Sequence, residues 1–213
     1  MSELEATVHV VDDDEALRSA VSMVVQSIGV RCQSYASAAD FLATYSPRQP
    51  GCLVLDVHMP GLTGLQLQTE LTIRGAVIPI IFITGSAEVQ MAVEAMRHGA
   101  FNYLQKPIRR AELTDSVRRA LELDKDNRSM LAQIDVIRER IAALTPKERE
   151  VMNLVVRGLS NKEVAQEMKV SHRTVEVHRA HVMEKMGATS TAHLVRMFME
   201  LEHLGNQTRP GAR

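Results

Sequence analysis

The sequence contains no tryptophan, and phenylalanine and tyrosine together make up only 3% of its 213 residues. Only two cysteines occur, Cys32 and Cys52, and both are expected to be small buried hydrophobic residues rather than disulfide partners. No apolar run approaches the length of a membrane span. Residues 1–5 are acidic and lack the apolar segment of a signal peptide, so we expect a cytoplasmic protein.

The charge of the chain is unevenly distributed, although the net charge is only −1. Residues 1–124 contain 10 Lys and Arg against 15 Asp and Glu, whereas residues 143–205 contain 9 against 8. A length of 213 residues fits one large domain or two ordinary ones. The charge difference suggests different partners for the two halves, but the second half is not basic enough to indicate nucleic acid by charge alone.

Three consecutive carboxylates, Asp12, Asp13 and Asp14, directly follow the apolar strand predicted at residues 8–11. Adjacent like charges repel, so the pKa of one carboxyl group rises unless a cation neutralises the cluster. Proteins hold Mg²⁺ with one or two carboxylates, while water and phosphate oxygens complete its coordination. The run therefore indicates a magnesium-dependent phosphoryl-transfer site, although aspartate is also favourable as a helix cap.

Three more polar residues lie at the ends of predicted strands. Asp56 ends an apolar run, Thr84 ends the next, and Lys106 follows a short strand. Five strands (near 7–11, 31–34, 52–56, 79–83 and 101–104) alternate with helices near 14–28, 37–46, 64–73, 87–98 and 109–123. This alternation predicts a doubly wound α/β fold with a five-stranded parallel sheet, whose carboxyl edge collects these side chains.

These residues resemble the receiver domain of two-component response regulators, over roughly Thr7 to Leu123. The resemblance implies that Asp56 accepts a phosphoryl group as a carboxylate nucleophile. It implies that Thr84 and Lys106 bind this group and that Tyr103 is the aromatic residue of the switch. Asp14 departs from the family pattern as an extra acid, and we expect it to cap the first helix rather than bind metal. Mg²⁺, with Mn²⁺ or Ca²⁺ as substitutes, would be held by Asp12, Asp13, Asp56 and the backbone carbonyl of His58.

The segment from Arg109 to Leu144 is predicted to form one long helix. Its later part has apolar residues at alternating spacings of four and three, which is the seam of a coiled coil; these are Met130, Ile134, Ile137, Ile141 and Leu144. Two heptads are too few to exclude an amphipathic helix that lies on its own domain, but we favour a short dimerising linker because symmetric dimers are the commonest oligomers.

The last third of the chain has the pattern of four short helices. Thr145 is placed as an N-cap, Pro146 at the first helical position and Glu148 at the capping-box position. Ser160 begins a second helix, a short turn leads to a third at residues 172–186, and Ser190 caps a fourth. Short helices with a tight turn between the second and third favour a helix-turn-helix over a plain four-helix bundle.

These helices resemble the LuxR-type DNA-binding domain over about residues 141–204. The motif residues lie in Leu144–Val151, Gly158–Ala165, Thr174–His178 and Met183–Gly187. With the receiver, they resemble the NarL/FixJ family of transcriptional regulators, and its FixJ branch in particular. The implied organisation is a receiver at 1–123, a helical linker at 124–142 with a candidate coiled coil, the helix-turn-helix domain at 143–205 and a flexible tail at 206–213.

The third of these helices has the two faces that a recognition helix needs. Val175, His178, Val182 and Met186 are predicted to pack inward. The opposite face has small, mostly uncharged side chains, which suit a major groove, and a carboxylate that can accept from cytosine N4. The candidates for base contact are Glu176, Val177 and Ala180, and those for phosphate contact are Lys162, Arg173, Thr174 and Arg179.

The sequence therefore predicts a response regulator that a sensor histidine kinase phosphorylates on Asp56, which then controls dimerisation and binding to double-stranded DNA. We expect a monomer before phosphorylation, a homodimer after it, and RNA polymerase as a further partner. We expect no enzymatic activity beyond self-catalysed phosphoryl transfer and slow self-dephosphorylation. Two alternatives remain, a Mg²⁺-dependent phosphatase and a DNA architectural protein that works without phosphorylation.

Overall fold

The computed structural model describes residues 5–85 and 89–207. The chain folds as two compact units, Met1–Ser129 and Met130–Arg213. The start of the helix predicted near residue 87 and residues 208–213 of the predicted tail lie outside the described part. None of the helices among the described residues is long and apolar enough to cross a membrane.

The first unit contains a five-stranded parallel sheet with the strand order β2-β1-β3-β4-β5. Its strands are β1 (Thr7–Val11), β2 (Arg31–Tyr35), β3 (Gly51–Asp56), β4 (Ile80–Thr84) and β5 (Asn102–Gln105). The helices that alternate with them are α1 (Glu15–Ser27), α2 (Ala38–Thr44), α3 (Gly64–Ile73), α4 (Val89–Arg97) and the long α5 (Arg110–Ala142). The predicted doubly wound α/β fold is confirmed.

Each face of the sheet covers a separate apolar core, because successive side chains of a strand point to opposite faces. One core contains Val11, Phe41 and Leu55, and the other contains Val54, Ile83 and Val117. Cys52 is fully buried, as predicted, whereas Cys32 is half-buried and its Sγ lies 3.5 Å from Ser22 Oγ.

A buried ion pair holds the middle of α5 to the loop before β3. Asp124, which is 1% exposed, accepts from the backbone N–H of Gly51 at 2.8 Å and from Arg128 Nε at 2.7 Å. The Arg128 guanidinium also donates to the carbonyls of Pro47 and Gln49. A Cβ atom at position 51 would lie 1.9 Å from the Thr7 carbonyl oxygen, so this close approach requires glycine. We call the contacts of Asp124 and Arg128 the Asp124–Arg128 clasp.

The second unit contains four helices that follow α5: α6 (Pro146–Val156), α7 (Asn161–Met168), α8 (His172–Met186) and α9 (Thr191–Gln207). Complete capping boxes, Thr145 with Glu148 and Ser160 with Glu163, begin α6 and α7, as the sequence predicts for α6. The turn between α7 and α8 begins at Lys169, whose backbone is left-handed at φ 55°. The unit therefore has the helix-turn-helix order expected from the sequence.

The predicted coiled-coil seam needs a correction. Ile137 is 5% exposed and Leu144 is 6% exposed, and both belong to the apolar core of the second unit, while Ile141 packs against that core. A four-and-three spacing suits packing on the chain's own domain as well as pairing between two helices. Because Ile137 and Leu144 are buried within one chain, they are not available to a partner helix.

Candidate functional site

The carboxyl edge of the sheet brings together the acidic residues that the sequence singled out. Asp12 follows β1 and Asp56 ends β3, which is the strand paired with β1. One carboxylate oxygen from each of Asp12, Asp13 and Asp56 lies within 4.8 Å of the others. Asp12 and Asp56 are buried, whereas Asp13 is exposed. Three oxygen donors at this separation form a cluster that could hold a metal ion.

The ammonium group of Lys106 lies inside this cluster. Its Nζ atom is 3.2 Å from Asp56 Oδ2 and 3.5 Å from Asp12 Oδ2. The backbone N–H of Lys106 donates to the Thr84 carbonyl at 2.8 Å, which fixes the base of the side chain at the end of β4. The cluster contains one ammonium, which contacts Asp12 and Asp56, and three carboxylates. When all are ionised it has two negative charges in excess, which is the charge that a divalent cation balances.

The pKa values of these groups reflect the crowding. Burial, followed by the charge of Asp12, raises the pKa of Asp56 above its ordinary value, and burial also raises the pKa of Asp12. Burial alone would lower the pKa of Lys106, but the two carboxylates beside it raise this pKa. The cluster is therefore poised for an additional positive charge near Asp56 and Asp12.

Asp14 does not join this group of carboxylates. Its side chain caps α1 by accepting from the backbone N–H groups of Ala16 and Leu17, which confirms the predicted cap. The neighbouring Asp12 Oδ1 accepts from the N–H of Asp14 at 2.8 Å. The two oxygens of Asp12 therefore have different partners: Oδ1 bonds to the backbone, and Oδ2 faces Lys106 in the acidic cluster.

The remaining receiver candidates lie at the same edge of the sheet or near it. Thr84 ends β4, is 3% exposed, and follows Ile83, the β4 partner of Asp56. Tyr103 is on the edge strand β5 and is 47% exposed, so its ring lies outward in this structure. The side chain of His58, two residues after Asp56, is exposed. The proposed role of its carbonyl as a metal ligand stays a prediction.

The helix α8 has the two faces predicted for it. Val175, Val182 and Met186 are at most 1% exposed and belong to the core, and His178 is half-buried. The other face is open, and Val177 is 48% exposed. Its exposed side chains are Arg173, Glu176, Val177, Ala180 and Glu184.

Two of the predicted phosphate-contacting residues differ in their surroundings. Lys162 is exposed at the start of α7. The Arg179 guanidinium, in contrast, donates to Asn161 Oδ1 at 2.7 Å and to Thr191 Oγ1 at 2.6 Å. These bonds tie α8 to the starts of α7 and α9, so Arg179 has an internal structural role that the sequence did not indicate.

The contacts that hold the C-terminal end of α8 were also missed from the sequence. Glu148 is 4% exposed and accepts from Lys185 Nζ at 2.7 Å in addition to its capping bond, which lowers the pKa of Glu148 to about 2. Arg140 Nη1 donates to the Met186 carbonyl at 2.7 Å. The capping pattern identified Glu148 in the sequence, but no local spacing connects it to Lys185, or Arg140 to Met186.

Both halves of the chain match known protein families. Residues 8–118 match the response regulator receiver domain, and residues 142–198 match the luxR family of bacterial regulatory proteins. Nodulation protein W of Bradyrhizobium diazoefficiens is 42% identical over 204 residues, covering 96% of this chain and 90% of that protein. The transcriptional regulatory protein FixJ of Azorhizobium caulinodans is 43% identical, covering 89% and 90%.

Solved structures show the same similarity. The response regulator StyR has a TM-score of 0.79 at 37% identity, over 92% of this chain and 99% of that chain. Full-length FixJ from B. japonicum has a TM-score of 0.57 at 37% identity, over 94% and 99%. Relatives of this coverage share both domains rather than one.

Proposed function

Because the chain belongs to the NarL/FixJ family of response regulators, with a receiver domain and a LuxR-type DNA-binding domain, we propose that Asp56 is the residue phosphorylated by its histidine kinase. One observation carries this assignment. Asp56 is the buried carboxylate whose Oδ2 lies 3.2 Å from the Lys106 ammonium, within 4.8 Å of two further carboxylates.

The proposed reaction is a displacement at phosphorus by a carboxylate. An Asp56 oxygen attacks the phosphoryl group of a phosphohistidine, an O–P bond forms, and the N–P bond to the histidine breaks. Lys106 neutralises charge on the phosphoryl oxygens, and the Thr84 hydroxyl donates a hydrogen bond to one of them. Slow hydrolysis of the same acyl phosphate returns Asp56 to its starting state, so no separate substrate turns over.

The acidic cluster fits a hard divalent cation, and we propose Mg²⁺, with Mn²⁺ or Ca²⁺ as substitutes. The donors are carboxylate oxygens, two of the three acids are buried, and the cluster has an excess of two negative charges. Asp12, Asp13, Asp56 and the carbonyl of His58 would hold the ion. When bound, it supplies positive charge to the phosphoryl oxygens.

Phosphorylation is proposed to act through a two-state switch. The phosphoryl group draws Thr84 toward it, Tyr103 turns inward from its exposed position, and the surface around β5 changes. We propose that this change converts a monomer into a homodimer, and that α8 then reads base pairs with Glu176, Val177 and Ala180. Lys162, Arg173, Thr174 and Arg179 would set its register on the phosphates, and RNA polymerase is a further proposed partner in the cytoplasm.

The assignment of Asp56 is tested by mapping the modified residue. The protein is treated with acetyl phosphate and Mg²⁺, reduced with borohydride, digested and analysed by mass spectrometry, since reduction converts an aspartyl phosphate to homoserine. Homoserine at position 56 supports the proposal, whereas modification at Asp12 or Asp13 instead would contradict it. DNA selection with and without acetyl phosphate then tests whether phosphorylation changes sequence-specific binding.

A further inference from the structure

The C-terminal end of the recognition helix α8 receives a side chain from α5. Arg140 Nη1 donates to the carbonyl oxygen of Met186, the last residue of α8, at 2.7 Å. Arg140 is half-buried, and Ile137, one turn earlier on α5, is buried in the same core as Met186. The part of α5 that lies in the second unit therefore packs on α8 as well as preceding it in sequence.

The contact supplies a hydrogen bond to a backbone carbonyl that has no partner within α8. The last carbonyls of an α-helix have no partner within the helix. In α8, the N–H groups of Gly187 and Ala188 donate to the carbonyls of Glu184 and Met183. The Met186 carbonyl is reached by the guanidinium, and a cation at a helix C-terminus is favoured by the helix dipole.

Gly187 provides the space for this guanidinium. Its backbone is left-handed at φ 63°, which favours glycine in any case. In addition, a Cβ atom at this position would lie 2.8 Å from Arg140 Nη1 and 3.2 Å from Arg140 Cζ. Gly158, which ends α6, has a comparable φ of 92°, but a Cβ atom there would meet no other atom within 4 Å. Only one of the two glycines is thus coupled to Arg140.

A second contact holds the same turn of α8 from α6. Lys185, next to Met186, donates to the buried Glu148 at 2.7 Å, and His181 Nδ1 lies 3.6 Å from the same carboxylate. The C-terminal turn is therefore fixed by charged groups on two other helices. The residues proposed to read DNA lie in the N-terminal half of α8 (Glu176, Val177) or near its middle (Ala180), so a small rotation about the fixed turn would displace them.

We infer that Arg140 is a positioning residue for DNA recognition, which sets the orientation of α8 through the Met186 carbonyl without touching DNA. This inference rests on the proposal that α8 reads the base pairs. Base-edge hydrogen bonds need their donors and acceptors in a narrow range of position and angle, whereas phosphate contacts by long side chains tolerate more displacement. Loss of Arg140 should consequently affect sequence discrimination more than general DNA affinity.

The test uses the full-length protein and the operator obtained by DNA selection. Arg140→Gln should lower operator affinity about tenfold, which corresponds to the loss of roughly one base-edge contact when α8 is displaced. Its affinity for unrelated DNA and its dependence on salt should stay unchanged. Arg140→Lys should recover part of the affinity. The matched control is Arg138→Gln, which removes the same charge from an exposed pair with Asp135 on the same helix.

A second pair of variants keeps the test decisive if Arg140→Gln folds poorly. Gly187→Ala and Gly158→Ala introduce the same left-handed strain, but only the first crowds the guanidinium. Gly187→Ala should lower operator discrimination, and Gly158→Ala should leave it intact although it also lowers thermal stability. Equal discrimination by Arg140→Gln and Arg138→Gln, or by the two glycine variants, would overturn the inference. Absence of any sequence-specific binding by the unsubstituted protein would overturn the proposed function as well.

Discussion

The Lys106 ammonium lies 3.2 Å from Asp56 Oδ2 and bridges to Asp12 Oδ2 at 3.5 Å, so two buried carboxylates from neighbouring strands share one cation. The side chain of Lys106 remains 35% exposed, whereas the carboxylates are almost completely buried. Lys106 and Asp13 are thus the more exposed members of the cluster, and Asp12 and Asp56 are the buried ones. This asymmetry makes the electrostatic consequences of single substitutions predictable.

Asp56→Asn should prevent phosphorylation and should preserve or raise stability in the absence of Mg²⁺. The raised pKa of Asp56 means that folding disfavours its ionised form at neutral pH, and asparagine removes that charge at nearly constant shape. The measurements are labelling by a phosphodonor and urea unfolding. Asp115→Asn, an exposed carboxylate on α5, is the control. Stoichiometric labelling of Asp56→Asn would refute the assignment.

Lys106→Ala should retain metal binding but fail to couple phosphorylation to dimerisation. Without the ammonium, the carboxylates repel each other. We expect the free energy of unfolding to fall by only about 1 kcal/mol, because the lysine is partly exposed. Mg²⁺ should recover this stability. Light scattering of the phosphorylated variant measures its oligomeric state, and a normal dimer would show that Lys106 has no switch role.

Glu176→Ala should relax base preference on DNA. A carboxylate in the groove is repelled by phosphate and is tolerable if it accepts from a base edge, which is worth about 1–3 kcal/mol of discrimination. In the free protein Glu176 pairs with His172 at 3.5 Å on the exposed face, so its removal leaves the core intact. Binding to operators with single-base changes measures the effect, with the exposed Glu167→Ala of α7 as control. Unchanged base preference would mean that α8 is wrongly oriented in our proposal.

Lys162→Ala should weaken binding to all DNA sequences alike. A lysine at the start of α7 that contacts a phosphate releases a counterion on binding, so its loss should lower the salt slope by about one. The affinity is measured over a range of salt concentrations. Lys147→Ala, which removes an exposed lysine paired with Glu150, is the matched control. An effect confined to one operator would contradict a phosphate contact.

The first unit should lose stability in acid because of His9. His9 is 2% exposed among Tyr35, Phe41 and Tyr45, and burial lowers its pKa to about 4. The unfolded chain binds a proton near pH 6.5 and the folded chain does not, so stability present above pH 6.5 is lost as the pH falls toward 4. The full loss in the free energy of unfolding is about 3 kcal/mol.

His9→Phe removes the proton-binding group and should flatten this pH dependence. All three tyrosines lie in the first unit, so tyrosine fluorescence during urea unfolding reports on that unit alone. The difference between the two proteins separates His9 from the carboxylates, whose raised pKa values act in the opposite direction. A parallel pH dependence in both proteins would show that folding does not lower the pKa of His9.

The features that sequence predicted well are those with a local or periodic signal. The buried strands, the caps Asp14 and Thr145 and the convergence of Asp12, Asp56 and Lys106 follow from alternation and from the common edge of a parallel sheet. Side chains whose contacts lie far away in the sequence leave no such signal.

Two residues illustrate this limit. The phosphate contact predicted for Arg179 stays a prediction, but nothing in the local sequence indicated its bonds to Asn161 and Thr191 on other helices. Ile137 fits a dimer seam and an internal core equally well, and only the tertiary structure shows that the core contains it. Spacing along one helix identifies an apolar face but not the surface that covers it.

The Asp124–Arg128 clasp has a practical consequence for dividing the chain into fragments. A receiver fragment that ended at residue 123, the predicted boundary, would remove the partners of the buried Gly51 N–H and of the carbonyls of Pro47 and Gln49, which Asp124 and Arg128 satisfy. An unsatisfied buried group such as the Gly51 N–H costs about 1–3 kcal/mol, whereas the more exposed carbonyls can accept from water. A fragment that extends through Arg128 keeps these bonds. A stable receiver fragment should therefore include Arg128, which lies five residues beyond the predicted boundary.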